Sequence, residues 1–171
     1  MKNKQLYLLP LVSMGLLTQG TTSASPLVSI GDSADVFFNG SSSVRWASNI
    51  FRDEFSEVDD LYWTLSPGFE LNVGRGVSNA DLSVITRYDI IRYQDNDQLD
   101  VELFHIKAIG SYRTSRLDLS GTVSFDENKT SSGENNVIND LIAYDNTAAR
   151  FGAEYRFSPK FSFGSGVKYR E

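Results

Sequence analysis

From Leu61 to Val73 apolar and polar residues alternate almost without a break. Leu61, Trp63, Leu65, Pro67, Phe69, Leu71 and Val73 hold the odd positions; Tyr62, Thr64, Ser66, Gly68, Glu70 and Asn72 hold the even ones. A period of two places these sets on opposite faces of a β-strand. Strands of soluble sheets usually have about five or six residues. This one suits a tilted crossing of a bilayer, which takes roughly 9–11.

The period recurs along the chain and predicts seven strands: residues 34–46, 61–73, 80–93, 101–112, 117–126, 149–157 and 161–170. The fifth is the cleanest, with Leu117, Leu119, Gly121, Val123 and Phe125 against Asp118, Ser120, Thr122, Ser124 and Asp126. The fourth changes phase. Phe104, Ile106, Ala108 and Tyr112 share one face, Val101 and Leu103 the other, and a bulge near the loop end would reconcile them. In the third, Ile85 and Ile91 break the alternation. Pro67 cannot donate to a ladder, so Pro67-Gly68 marks an expected bulge or bend.

Connections between these strands alternate: long and acidic at 48–60, a Gly-containing turn at 74–79, an intermediate acidic loop at 94–100, a tight turn at 113–116, a long polar loop at 127–146, and a turn at Ser158-Pro159-Lys160. In the long polar loop, residues 137–143 form a short apolar piece. Long loops at one end and short turns at the other are the habit of transmembrane barrels. Aromatics on the apolar face fall into two groups, as at membrane interfaces. Trp46, Trp63, Tyr88, Phe104 and Phe125 lie toward the long loops, and Tyr112, Phe157 and Phe161 toward the short turns. The other face carries Arg45, Glu70, Asp81, Arg87, Asp89, Lys107, Asp118, Arg150, Glu154, Arg156 and Lys168. So many charges cannot be packed into a dry core; they suit a wet lumen. The predicted fold is therefore all-β: an antiparallel up-and-down meander forming part of a transmembrane outer-membrane β-barrel. Seven strands are visible where such barrels usually have an even number. An end inside a strand at Glu171 fits truncation.

Composition agrees with a barrel wall. Hydrophobic residues make up 40% of the chain and mean hydropathy is −0.27, so the membrane character lies in alternation. No apolar run reaches the roughly 20 residues of a transmembrane helix. Residues 1–24 read as a secretory signal, with Lys2 and Lys4, an apolar stretch over residues 6–17, and small residues up to Ala24. The barrel portion is then 25–171. Removing the two lysines, and no acid, takes the formal net charge from −6 to −8. That balance argues against nucleic-acid partners, which require Lys and Arg surfaces. With no cysteine there is no disulfide framework and no thiol chemistry.

Ser48-Asn49-Ile50-Phe51-Arg52, Leu65-Ser66-Pro67-Gly68-Phe69-Glu70-Leu71, and Arg87-Tyr88-Asp89 with Tyr93 resemble the β-barrel porin 2 family. The resemblance covers most of the chain after the signal as a repeating strand pattern. It implies an outer-membrane barrel about twice this length, with this chain as its N-terminal part. Some members are encoded with exopolysaccharide or capsule genes. It carries over no catalytic residue, cofactor or metal site.

Other candidate chemistry is sparse. His105 is the single histidine, with no Ser/Asp spacing around it that suggests a triad, and reads as structural or lumen-facing. Asp95-Asn96-Asp97-Gln98-Leu99-Asp100 offers oxygen ligands but lacks the Gly and distal Glu of an EF-hand, so a solvated acidic loop is the default. The same holds for Asp53, Glu54, Glu57, Asp59 and Asp60, where divalent ions bridging lipopolysaccharide would be the alternative. Gly74-Arg75-Gly76 is a turn rather than a phosphate loop, and the two Asn-X-Ser/Thr sequons are read as chance.

The leading expectation is a porin-like barrel, not an enzyme, in the bacterial outer membrane, reached through the periplasm. It would pass hydrophilic solutes or an exopolysaccharide. Expected partners are outer-membrane lipid and lipopolysaccharide, the barrel-assembly machinery and polysaccharide, with no cofactor. The alternatives are a non-transporting barrel (adhesin or assembly scaffold) acting through its acidic loops, and a soluble barrel with its aromatics inside.

Overall fold

A computed structural model of the chain describes residues 25–51, 57–74, 78–131 and 141–171. They form one all-β sheet of eight antiparallel strands in sequence order. The strands are β1 (Val28–Ile30), β2 (Ala34–Ala47), β3 (Asp60–Val73), β4 (Ala80–Tyr93), β5 (Val101–Arg113), β6 (Leu117–Ser131), β7 (Leu141–Ser158) and β8 (Phe161–Arg170). The sheet is not closed: β1 and β8 are its edges. Alternation has the sense expected from the sequence. On β3 the apolar Leu61, Trp63, Leu65 and Phe69 are exposed, while Tyr62, Thr64, Ser66 and Glu70 opposite are half-buried. On β3 the polar face is thus the more enclosed one.

The register shows how the apolar face is laid out. A row perpendicular to the strands runs through Ala34, Val73, Leu82, Gly110, Gly121, Phe151 and Val167. Above it, toward the long loops, the first charge on the apolar side is Arg92 on β4, ten residues up. On β5 it is Glu102, eight up; on β6 and β7 Glu127 and Asp145, six up. Glu171, bonded to Thr147 through both backbone groups beyond β8, stands four up. The short turns descend likewise: the pair Arg113–Asp118 lies three residues below the row, and Phe161 six. The apolar band therefore crosses the sheet as a diagonal stripe. Its upper edge drops six residues over the four strand spacings from β4 to β8. At about 3.3 Å per residue and 4.8 Å per strand, that slope is roughly 45°, the tilt of a membrane-crossing strand.

Several features depart from the sequence reading. A short strand, β1, precedes the predicted first, pairing Val28 with Val36. The predicted loop at 127–146 is largely ladder: pairs run from Glu127–Asp145 to Ser131–Leu141. Alternation fails there because both faces lie above the apolar band. Of the apolar piece 137–143, residues 137–140 lie outside the described residues, and the rest begins β7. The fourth predicted strand has no bulge: pairing with β4 is continuous from Ala80–Tyr112 to Ile91–Val101. Val101 and Leu103 simply lie on the polar face. Nor is there a bulge at Pro67. Leu65 pairs with Ile90 and Gly68 with Arg87 in the same register, with a gap in the ladder between them. A Cβ on Gly68 would come within 2.5 Å of the Thr86 carbonyl oxygen, so the glycine lets β4 close up beside the gap. One irregularity does occur, between Arg156 and Ser158 on β7. Gly74, at φ 98°, begins the turn after β3 in a conformation that suits glycine.

Among the described residues only Ala34, Leu99 and Val101 are buried apolar side chains. Trp46 is 64% exposed and Phe161 72%, with Trp63, Phe69, Leu119, Val123 and Phe151 also open. Among the described residues no second layer of structure covers the sheet's apolar face.

Candidate functional site

The strongest concentration of chemistry is the polar face. All eleven charged residues singled out from the sequence lie on it, from Arg45 opposite Tyr62 to Lys168 opposite Arg150. The reason is local: each occupies the polar phase of its strand, and the unshifted registers of β2 to β6 keep the phases aligned. The register also places His105, Asp126, Arg113 and Arg170 on this face. Asp126 closes the clean alternation of the fifth predicted strand, so its position was readable from the sequence.

Three groups of contacts divide the face. Near the middle, Arg87 Nε stands 3.0 Å from Asp89 Oδ1, and His105 Nε2 stands 3.2 Å from Asp89 Oδ2. His105 Nδ1 is 3.0 Å from Asp126 Oδ1. The N–H directions toward Asp89 are off-line, so Asp89 Oδ1 and His105 Nε2 are buried without an aligned hydrogen bond. This explains His105: it links two carboxylates across β4, β5 and β6. Its two ring nitrogens face carboxylates from the strands on either side, which makes the grouping a cross-tie. At the short-turn end Asp118 accepts Arg113 at 3.2 Å and Arg156 at 3.5 Å, and Arg156 also reaches Glu154 at 3.7 Å. On β2 and β3 Glu70 accepts the amides of Asn39 at 3.1 Å and Asn72 at 2.7 Å.

The long-loop end is closed over locally. The loop after β4 contains a 3-10 turn, Asp97–Leu99, and buries Leu99 beside Val101. Asp60, expected in a solvated acidic loop, is instead 3% exposed and holds that loop down. It accepts the Asn96 side chain at 2.8 Å, the Asn96 amide at 3.0 Å, the Asp95 amide at 3.3 Å and the Leu61 amide at 2.6 Å. Burial by itself would raise its pKa; the donors from Asn96, Asp95 and Leu61 outweigh it and hold the carboxyl below the usual aspartate range. Asp60 is the first residue of β3, at the loop end of the alternating stretch that begins at Leu61. Asp100 likewise accepts the Tyr93 amide at 2.8 Å and pairs with Arg92 at 3.6 Å. The carboxylates considered as cation ligands are thus partly used by the protein itself. Among the described residues no group of three His, Cys, Asp or Glu could hold a metal ion. Residues 52–56, including Asp53 and Glu54, and residues 1–24, expected from the sequence to be a signal, lie outside the described residues. Below this closure an open cavity of about 400 Å³ is lined by Ser41, Ser43, Thr64, Ser66, Arg45 and the stacked Tyr62–Tyr93 pair, whose ring centroids are 5.0 Å apart.

No family model, curated protein or solved structure matches the chain.

The apolar face has its own polar rim. Tyr88 donates to Glu102, which also pairs with Arg92, and Trp46 Nε1 donates to Asp59 Oδ2 at 3.3 Å. An aromatic body on the apolar band with its polar atom at the band's edge is the arrangement that suits a lipid–water boundary. Among the described residues no helix is long and apolar enough to cross a membrane.

Proposed function

We propose that the chain forms part of an outer-membrane β-barrel of the porin-like kind, non-enzymatic, passing hydrophilic solutes along its charged face. One observation carries the reading: a diagonal apolar stripe, sloped at about the transmembrane tilt, backs onto a face that gathers all eleven predicted charges. A soluble barrel with aromatics inside would enclose the apolar side. Here that side is the exposed one. Exposed apolar area on this scale calls for a covering phase, and lipid fits a stripe bounded by aromatics and ion pairs. A sheet crossing a membrane needs both edges paired. The proposal therefore includes further strands against β1 and β8, from this protein or another copy. The resemblance to the β-barrel porin 2 family points the same way and adds an exopolysaccharide as a candidate solute. Outer-membrane lipid, lipopolysaccharide and the assembly machinery are the partners this reading implies.

Planar-bilayer recording tests it. Folded protein should give discrete conductance steps; correctly folded, membrane-inserted protein without any channel activity would sink the pore function. A second reading, a non-transporting barrel that binds through its loops, draws on one feature. The β6–β7 ladder continues four residues beyond the charged rim at Glu127 and Asp145, to Ser131 and Leu141. That hairpin would project from the membrane. Its deletion should abolish partner binding and leave conductance unchanged if this reading holds.

A further inference from the structure

Along the sequence the polar-face charges look evenly mixed, but in two rows the register gathers cations alone on β5, β7 and β8. On β5, β7 and β8, Lys107, Arg150, Lys168 and Arg170 lie one to three residues above the reference row. Arg150 and Lys168 are directly opposite each other, as are Ala148 and Arg170. Lys107 faces Ser124, and Ser124 faces Ala148, so the four cations share two adjacent rows. No acid occupies this face of β5–β8 in those rows; Asn72 and Ser83 continue the first row toward β2. The nearest carboxylates are already committed, Asp126 to His105 and Asp118 to Arg113 and Arg156. Among the described residues none of the four makes an ion pair, and Arg170 bonds only the Asn146 amide oxygen, at 3.2 Å. The acids of these heights, Asp35 and Glu70, stand on β2 and β3, and Asp81 lies one residue below the row on β4.

This arrangement works against folding. Like charges directly opposite on adjacent strands repel; Arg150 and Lys168 form such a pair, and all four cations are exposed on the polar face. Lysines on a sheet edge can serve to block edge-to-edge pairing. That accounts for Lys168 and not for Arg150 or Lys107, which lie on interior strands. We propose that Lys107, Arg150, Lys168 and Arg170 form a binding site for small inorganic or carboxylate anions on the polar face. The inference rests on that face being accessible to solutes and deepens the pore reading by naming the charge of the solute favoured. A single-sign cluster at the wall of a pore is what makes one anion-preferring.

Calorimetric titration of the detergent-folded full chain with inorganic phosphate tests the site without requiring a channel. Phosphate should bind in the millimolar range or tighter. The triple variant Lys107→Gln/Arg150→Gln/Lys168→Gln should weaken binding at least tenfold, with far-ultraviolet circular dichroism unchanged. Lys160→Gln, at the turn outside the cluster, should leave it unaltered. A second readout is reversal potential in a potassium chloride gradient. The wild type should prefer chloride, and the triple variant should lose at least threefold in the chloride-to-potassium permeability ratio. Phosphate binding lost in the triple variant, without conductance, would support the site and refute the pore. Conductance with no phosphate binding, or binding equally strong in the triple variant, would overturn the site alone. If the triple variant fails to fold, Arg150→Gln by itself should weaken phosphate binding at least threefold, and no change there would overturn the site.

Discussion

Consider an arginine placed on each face of β6. Val123 is on the apolar side, between Leu117 near the short turn and Glu127 at the charged rim. Those limits are ten residues apart, about 33 Å along the strand at roughly 3.3 Å per residue. At a tilt of about 45° the stripe is then roughly 23 Å tall, close to the 25 Å apolar band of outer-membrane barrels. Val123 stands about 14 Å above the lower limit on the same scale, within a few ångströms of the middle. An arginine at the bilayer midplane costs about 2–4 kcal/mol. Val123→Arg should therefore lower stability by about 3 kcal/mol, moving a guanidinium midpoint by roughly 0.7 M if the slope is about 4 kcal/mol/M. Ser120→Arg, on the polar face in the row of Asp81 and Ser111, should change stability by less than about 0.5 kcal/mol. The assay is reversible unfolding in phospholipid vesicles followed by the fluorescence of Trp46 and Trp63, the only tryptophans. Equal costs at the two positions, or a larger cost for Ser120→Arg, would refute the assignment of faces.

Three further outcomes are expected. Leu61→Arg, at the long-loop rim, should cost no more than about 1 kcal/mol in the same assay, because the penalty falls toward the interface. Gly68→Val should destabilise by about 1–3 kcal/mol through collision with the Thr86 carbonyl, whereas Gly40→Ala, with no atom closer than 3.6 Å, should cost less than half as much. Asp60 has its folded pKa depressed, so its contribution is present above the unfolded value and is lost as pH falls through the folded one. Amide resonances of Asp95 and Asn96 should therefore titrate with a midpoint below 3.8, and a midpoint at or above that value would mean burial prevails over the hydrogen bonds.

Alternation carried the strand assignments where one face is apolar and the other polar, as on β3 and β6 up to Asp126. It failed where the two faces meet the same surroundings. Residues 128–131 and 141–144 lie above the charged rim, so nothing in their pattern marks them as ladder. Val101 and Leu103 misled for a different reason. They are apolar on the polar side, where the loop carrying Leu99 covers Val101, a contact no local pattern encodes. Asp60 was hidden likewise: its donors, Asn96 and Asp95, come from a loop 35 residues away. The eleven polar-face charges were legible because strand phase alone decides their side. The grouping of Lys107, Arg150, Lys168 and Arg170 in two rows was not, because it depends on the stagger between strands, which only the register supplies.

The face assignment can be measured directly. The chain has no cysteine, so single cysteines at each position from 61 to 73 can carry a nitroxide spin label in vesicle-inserted protein. Collisions with oxygen, which concentrates in lipid, and with a water-soluble nickel chelate report the surroundings of each position. The account predicts oxygen maxima at 61, 63, 65, 69, 71 and 73 and nickel maxima at 62, 64, 66, 70 and 72, two opposed series of period two. Oxygen maxima at the even positions, or no periodicity in either series, would contradict it.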